Sequence, residues 1–375
     1  METILVVEWE ILLVSSTTDM GRDCARNKCF LAGKCAAIHI MLILFLLPQA
    51  VLAQKKKEGK PLPAERADPR AAAPAVSLSP RFSVGQSFRY DMEFETSTST
   101  TRSGFAIDPQ GPSQISIVWN AQLRMDVLPL ESGSSGGTRL RLTYEKSAAD
   151  VSSDTFDPTA NATEQQYRKL EGKVVEFTLD AAGKVQSISG LQGIVEDDKA
   201  VQAARQWIAQ LNAGSGAPAG GVHLGDRWST EQPATSLLLP GLVWHNDSQY
   251  VRNEACHPPN ADDPGASSPG VSFGGAARDE MCAVILTHLS LVPLKPAGHS
   301  SKDKNEAFTE GTWTGTGEGL TYVSLRSGLA VSISQGATED MDVTITSARN
   351  SNMRYAGKIV TRSQVALERG DGQNK

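Results

Sequence analysis

The sequence lacks the short patterns by which many enzymes are identified. It contains no HExxH, Walker or EF-hand pattern. Aromatic residues make up only 6%, and 36 Lys and Arg nearly balance 42 Asp and Glu, which gives a formal net charge of -6. A dedicated nucleic-acid binder would show a basic face. We therefore expect no nucleic-acid partner, no cofactor and no catalytic residue.

Histidine and cysteine are also scarce, with 6 His and 5 Cys in 375 residues. A zinc site built from Cys256, Cys282 and neighbouring histidines has spacings that match no finger or ribbon. His245 and Asp247 would share one face of a strand and could supply a base and its orienting carboxylate, but catalytic partners are spatial and the sequence shows none. We predict no metal site, and a secreted hydrolase built around His245 is the less favoured alternative.

One apolar run, residues 35–53, follows a basic stretch and ends in Val-Leu-Ala. This order is typical of a secretory signal peptide, so we predict cleavage after Ala53 and export to the periplasm or the extracellular space. An uncleaved membrane anchor is the alternative, and membrane contact is expected only in that case. Because acidic residues precede the basic stretch, we expect the true start to be Met20.

Cysteine usage agrees with export. Three of the 5 cysteines lie in the predicted signal segment, which leaves Cys256 and Cys282. An even pair in an exported chain predicts a disulfide. It would close a loop rich in Pro, Gly, Asp and Ser and stabilise the fold by roughly 3 kcal/mol.

The dominant pattern after residue 81 has a period of two. Phe88, Tyr90, Met92 and Phe94 alternate with charged residues, and a similar alternation runs through residues 115–127. Such alternation predicts an antiparallel sheet with one apolar and one solvated face. The 33 Gly and 19 Pro also favour a structure rich in turns.

The chain also contains an internal repeat. VGQSF, at residues 84–88, resembles LGDRW, at residues 224–228, and GKVVEFTLDAAGKVQSIS aligns without gaps on GEGLTYVSLRSGLAVSIS. The alignment places Gly183 on Gly328, where a hairpin turn needs a positive φ. We predict two copies of one β unit, with chance similarity as the alternative.

These patterns give a mainly β fold (β-rich α+β) of long curved antiparallel sheets, half-barrel-like, with a central amphipathic helix over residues 195–212. A second short helix is expected from Ala162 to Leu170. The predicted divisions are a signal peptide (1–53), a disordered linker rich in Pro and Ala (54–80), a first β unit (81–213), a flexible link (214–221), a second β unit (222–370) and a tail (371–375).

Several segments resemble those of uncharacterised exported β-rich bacterial proteins: VLAQ, VGQSFRY, EFTLDAAGKVQSISG, LGDRW and GTGEGLTYVSLRSGLAVSIS. Long curved strands with a covering helix are also similar to the half-barrels of periplasmic lipoprotein carriers, which hold acyl chains. This resemblance implies a lipid-like ligand and carries over no site residues.

An open sheet must cover its apolar face with a helix, a second unit or a ligand. We therefore expect a non-catalytic exported protein that binds a lipid-like ligand or an envelope partner. The candidate lining residues, which could equally form the core, are Phe88, Tyr90, Phe94, Trp119, Leu123 and Met125. A structural or assembly protein of the envelope, pairing through exposed strand edges, is the alternative.

Overall fold

The computed structural model describes residues 75–104, 113–130, 137–154, 160–180, 183, 185–194, 216–218, 220–234, 242–256, 280–293, 308–346 and 352–368. The predicted signal peptide, the predicted central helix over 195–212, most of the loop between the two cysteines and the tail lie outside these residues. Those predictions stay untested. Within the described residues, no helix is long and apolar enough to cross a membrane.

Eleven strands and one α-helix make up the described fold. The first half holds β1 (Ser87–Gly104), β2 (Ser113–Leu128), β3 (Thr138–Ser153), α1 (Ala160–Arg168), β4 (Val174–Leu179), β5 (Val185–Ser189) and a 3-10 turn (Leu191–Gly193). The second half holds β6 (Arg227–Pro233), β7 (Leu242–Ala255), β8 (Met281–Pro293), β9 (Phe308–Ser324), β10 (Ala330–Thr346) and β11 (Asn352–Glu368).

All eleven strands form one open sheet in the order β5-β4-β3-β2-β1-β11-β10-β9-β8-β7-β6. Every neighbouring pair is antiparallel. The halves join where β1 pairs with β11, from Arg89 opposite Glu368 to Gly104 opposite Met353. The mainly β fold with long antiparallel strands is thus confirmed, and both halves share a single sheet.

The segments that align in the sequence adopt the same local structure. The first forms the β4–β5 hairpin and the second the end of β9 and the start of β10. Gly183 and Gly328 lie in the two turns with φ of 80° and 69°. A residue with a side chain would be strained there, which explains why both copies have glycine.

Side chains alternate between a buried and a solvated face along the long strands, as in β1 and β2. The term apolar face is used here for the side of the sheet that carries Tyr90 and Trp119, and polar face for the opposite side. On the apolar face of the first half, residues of β1 to β5, α1 and the 3-10 turn form one hydrophobic cluster. The short helix is present as predicted, shifted by two residues.

Glycines in β9 let neighbouring strands approach closely. A Cβ on Gly315 would lie 2.8 Å from the Trp244 ring, and one on Gly317 would lie 2.9 Å from the Cβ of Ala337. The GTGEG segment is therefore part of a strand in which side chains would clash with the next strands.

The segment before β1 crosses the second half of the sheet. Val76 and Val222 exchange two backbone hydrogen bonds of 2.8 and 2.9 Å. Leu78, which falls within the predicted linker, is buried beside Trp228 and Tyr250. We call residues 75–82 the strap, because they connect the core of the second half to the start of the first.

Candidate functional site

The six predicted lining residues lie together on the apolar face. They form three directly opposed pairs between β1 and β2: Phe88 with Met125, Tyr90 with Leu123, and Phe94 with Trp119. Five of them are nearly fully buried, and Phe88 packs at the margin of the same cluster. The structure thus brings the predicted residues into one patch, which is closed and packed as a core. We call these six residues the aromatic patch.

Helix α1 is held onto this patch through Trp119. The Trp119 ring centroid lies 5.3 Å from that of Tyr167 in α1 and 6.4 Å from that of Tyr144 in β3. The Trp119 Nε1 donates to the Ser147 Oγ at 2.9 Å, and that hydroxyl donates to the Tyr167 carbonyl oxygen at 2.6 Å. A buried serine therefore links the sheet to the helix.

Alternation alone does not predict the position of Ser147. Between β2 and β3 the register shifts, so that Gln122 lies opposite Lys146 while Leu123 lies opposite Tyr144. The extra residue of this bulge reverses the alternation along β3. Tyr144 and Ser147 consequently share the apolar face although they stand an odd number of positions apart.

Some polar atoms on the apolar face have no hydrogen-bond partner within the described part of the chain. Those on well-buried residues are the hydroxyls of Tyr90, Tyr144 and Thr96, the Trp228 Nε1 and the Asn246 Oδ1. A buried polar group without a partner costs about 1–3 kcal/mol relative to one that is paired. Burial raises the pKa of Tyr90 and Tyr144 well above the ordinary range, so both hydroxyls stay protonated.

A trough of about 920 Å³ lies on the polar face, across β3, β2, β1, β11 and β10. Gln122 donates to the Asp91 Oδ1 at 3.2 Å and to the Glu368 Oε1 at 2.6 Å. Burial raises the pKa of Glu368, and its hydrogen bond with Asp91 raises it further. No sequence pattern connects Asp91 and Glu368; the β1–β11 pairing brings them together.

His245 lies on the polar face with carboxylates on two sides. Its ring is 3.4 Å from the Asp247 Oδ1 and 3.9 Å from the Glu231 Oε1. Ser290 lies opposite on β8 and directs its Oγ to the His245 carbonyl oxygen at 3.5 Å. Within the described residues, no three His, Cys, Asp or Glu side chains converge on a point that could hold a metal ion.

Cys256 and Cys282 form the predicted disulfide, with an S–S distance of 2.05 Å and a Cα–Cα distance of 4.9 Å. Both residues are buried and pack against Val331. Because the two sulfur atoms are bonded to each other, they are not zinc ligands. The pairing spans 26 positions of sequence.

No family model matches the chain, and no curated protein matches it. Among solved structures, the chain is similar to the one described as "Lipid-protein interactions in lipovitellin", with 12% identity over 79% of this chain and a TM-score of 0.39. The match covers 27% of the lipovitellin chain. A second similarity is to DynF from the dynemicin biosynthesis pathway of Micromonospora chersina, with 7% identity over 86% of this chain and 97% of that chain and a TM-score of 0.16. Both similarities are too distant to establish a shared fold.

Proposed function

We propose that this protein is exported, is not an enzyme, and binds a lipid-like ligand against the apolar face of its sheet. The observation that supports the proposal is the composition of the layer over that face. The face extends across eleven strands. Among the described residues, it is opposed by the nine-residue α1, the 3-10 turn, the strap and the residues around Val222, and by no second sheet.

An apolar sheet face needs a second layer to exclude water. The described elements that oppose the face are short, and an apolar ligand could join this layer. The aromatic patch is the proposed contact surface, because each of its three cross-strand pairs contains an aromatic residue and because it lies beside the one described α-helix. The patch is closed in this structure, so binding requires α1 to separate from Trp119.

Export is supported by the disulfide, since paired cysteines persist in oxidising compartments. The test of export is N-terminal sequencing of the mature protein, which should begin at Gln54. A mature protein that retains residues 35–53 would contradict cleavage.

Ligand binding is tested by native mass spectrometry of protein purified from its own host, followed by uptake of a fluorescent acyl probe. We expect a bound lipid and saturable uptake. Phe94→Leu, within the patch, should weaken uptake, whereas Asn120→Ala, on the exposed face of the neighbouring strand, should not. Absence of both a copurified lipid and probe uptake would contradict the proposal. A discrete protein crosslinked to β5 or β6 in intact envelopes would then favour the assembly alternative.

A further inference from the structure

Two phenol hydroxyls stand on either side of one apolar residue in the sheet. Tyr90 on β1 and Tyr144 on β3 both lie opposite Leu123 of β2, one from each side. Neighbouring strands are about 4.8 Å apart, so the two side chains leave the sheet about 10 Å from each other. Both are almost completely buried, at 4% and 0% exposure, and neither hydroxyl has a hydrogen-bond partner among the described residues.

Three other buried donors of this size on the same face are paired, whereas the Trp228 Nε1 is not. The Trp119 Nε1, on the strand between those of the two tyrosines, donates to Ser147, and the Trp313 Nε1 in the second half donates to the Glu339 Oε2 at 2.8 Å. Tyr250 donates its hydroxyl to Asn253. Phenylalanine would fill the positions of Tyr90 and Tyr144 without any unpaired group. An acceptor from a bound ligand would therefore pair two hydroxyls that the described residues leave without a hydrogen bond.

The surroundings restrict the chemistry of that acceptor. Both rings lie in the hydrophobic cluster of the first half, and the buried polar residues described in that half, such as Ser147 and Thr96, carry no charge. A carboxylate would lose most of its hydration there without gaining a cation, whereas a neutral carbonyl oxygen would lose much less. The two hydroxyl donors therefore fit a ligand that has two neutral acceptor atoms and apolar chains that contact the surrounding hydrophobic residues.

We infer that the hydroxyls of Tyr90 and Tyr144 donate hydrogen bonds to the carbonyl oxygens of an ester-linked lipid, an inference that rests on the proposed function. The hydroxyls have no solvent access in this structure. A lipid therefore reaches them when α1, which packs on β3, separates from the sheet.

The test compares two lipids that differ only in their carbonyl groups. Displacement of the fluorescent acyl probe is measured with a dioleoylglycerol, which has two ester links, and with the dialkylglycerol of equal chain length, which has two ether links. We expect wild-type protein to bind the ester lipid about thirty-fold more tightly, and Tyr90→Phe or Tyr144→Phe each to reduce the preference about five-fold. The double variant should show no preference.

The ligand-free stability of the same variants separates recognition from a structural role. Because each Phe variant loses only an unpaired hydroxyl, its urea midpoint should be unchanged or higher. Tyr250→Phe is the matched control: it loses a paired hydroxyl, so its midpoint should fall while its ester preference stays that of wild type.

Three results would overturn the inference. One is equal affinity of wild-type protein for the two lipids, another is an undiminished ester preference in the double variant, and a third is a fall in midpoint for Tyr90→Phe and Tyr144→Phe like that of the control. The first two leave the proposed function standing, because lipid still binds. If neither lipid displaces the probe and none copurifies, the proposed function fails together with the inference.

Discussion

Ser147→Ala should release helix α1 from the sheet. In the folded protein the Ser147 hydroxyl accepts from the Trp119 Nε1 at 2.9 Å and donates to the Tyr167 carbonyl oxygen at 2.6 Å, and the residue is 3% exposed. Removing the hydroxyl takes a partner from both groups. The two losses are not equally costly, because the Tyr167 carbonyl oxygen keeps a second hydrogen bond, from the Leu170 backbone nitrogen at 3.1 Å.

The free-energy cost is therefore set mainly by the Trp119 nitrogen, which is left buried without an acceptor. A buried unpaired donor costs about 1–3 kcal/mol, so we expect Ser147→Ala to lower the free energy of unfolding by about 2 kcal/mol. In a Trp119→Phe background the donor is absent, and the same substitution should then cost less than about 1 kcal/mol.

Urea denaturation followed by tryptophan fluorescence measures these differences, with an unchanged m-value as the check that only stability has changed. The control is Ser87→Ala, whose hydroxyl donates to the Asp126 Oδ1 at 2.7 Å on the solvated side of β1. That change should stay within about 0.5 kcal/mol. The reasoning is refuted if Ser147→Ala costs no more than Ser87→Ala, or if its cost is the same in both backgrounds.

Two further substitutions test the strap and the disulfide. Gly328→Ala should loosen the strap and speed proteolysis near residue 79, because a Cβ at this positive-φ position would lie 2.0 Å from the Ser79 carbonyl oxygen. The control is Gly319→Ala, whose Cβ would meet nothing closer than 3.7 Å and which should therefore have a smaller effect. Equal cleavage rates in the two variants would contradict this account. Replacing Cys256 and Cys282 together by Ser opens a loop that spans 26 positions and should lower the free energy of unfolding by about 3.5 kcal/mol in the loop-entropy account. Adding reductant to the wild-type protein should lower its free energy of unfolding by a similar amount. A urea midpoint that does not change with reductant would contradict a stabilising role of the disulfide.

Much of the sheet could be predicted because strand formation leaves a local pattern. The alternation through Phe88, Tyr90 and Phe94 matches the alternating burial of β1. The six predicted patch residues meet because their two strands pair in the register that keeps both apolar sets on one face. The glycine shared by the two aligned hairpins also predicted local structure, because a turn with a positive φ favours glycine at one position.

Other site residues were not predictable from local patterns. Ser147 lies on the apolar face only because of the bulge beside Leu123, and a serine that follows Glu145 and Lys146 does not stand out as a buried residue. Leu78 lies in a stretch whose composition indicates a linker, yet it is buried in the second half. Asp91 and Glu368 meet because β1 pairs with β11, and nothing near either residue encodes that contact.

The sequence by itself determined that the chain forms antiparallel strands with one apolar face and that two of its cysteines could pair. Each of these follows from composition or from patterns within a few residues. Only the tertiary structure decided that both halves share one open sheet, that α1 lies over the aromatic patch, and that the Tyr90 and Tyr144 hydroxyls remain unpaired. Those outcomes depend on which distant strands meet and in what register, and contacts between distant strands are set by the packing of the whole chain.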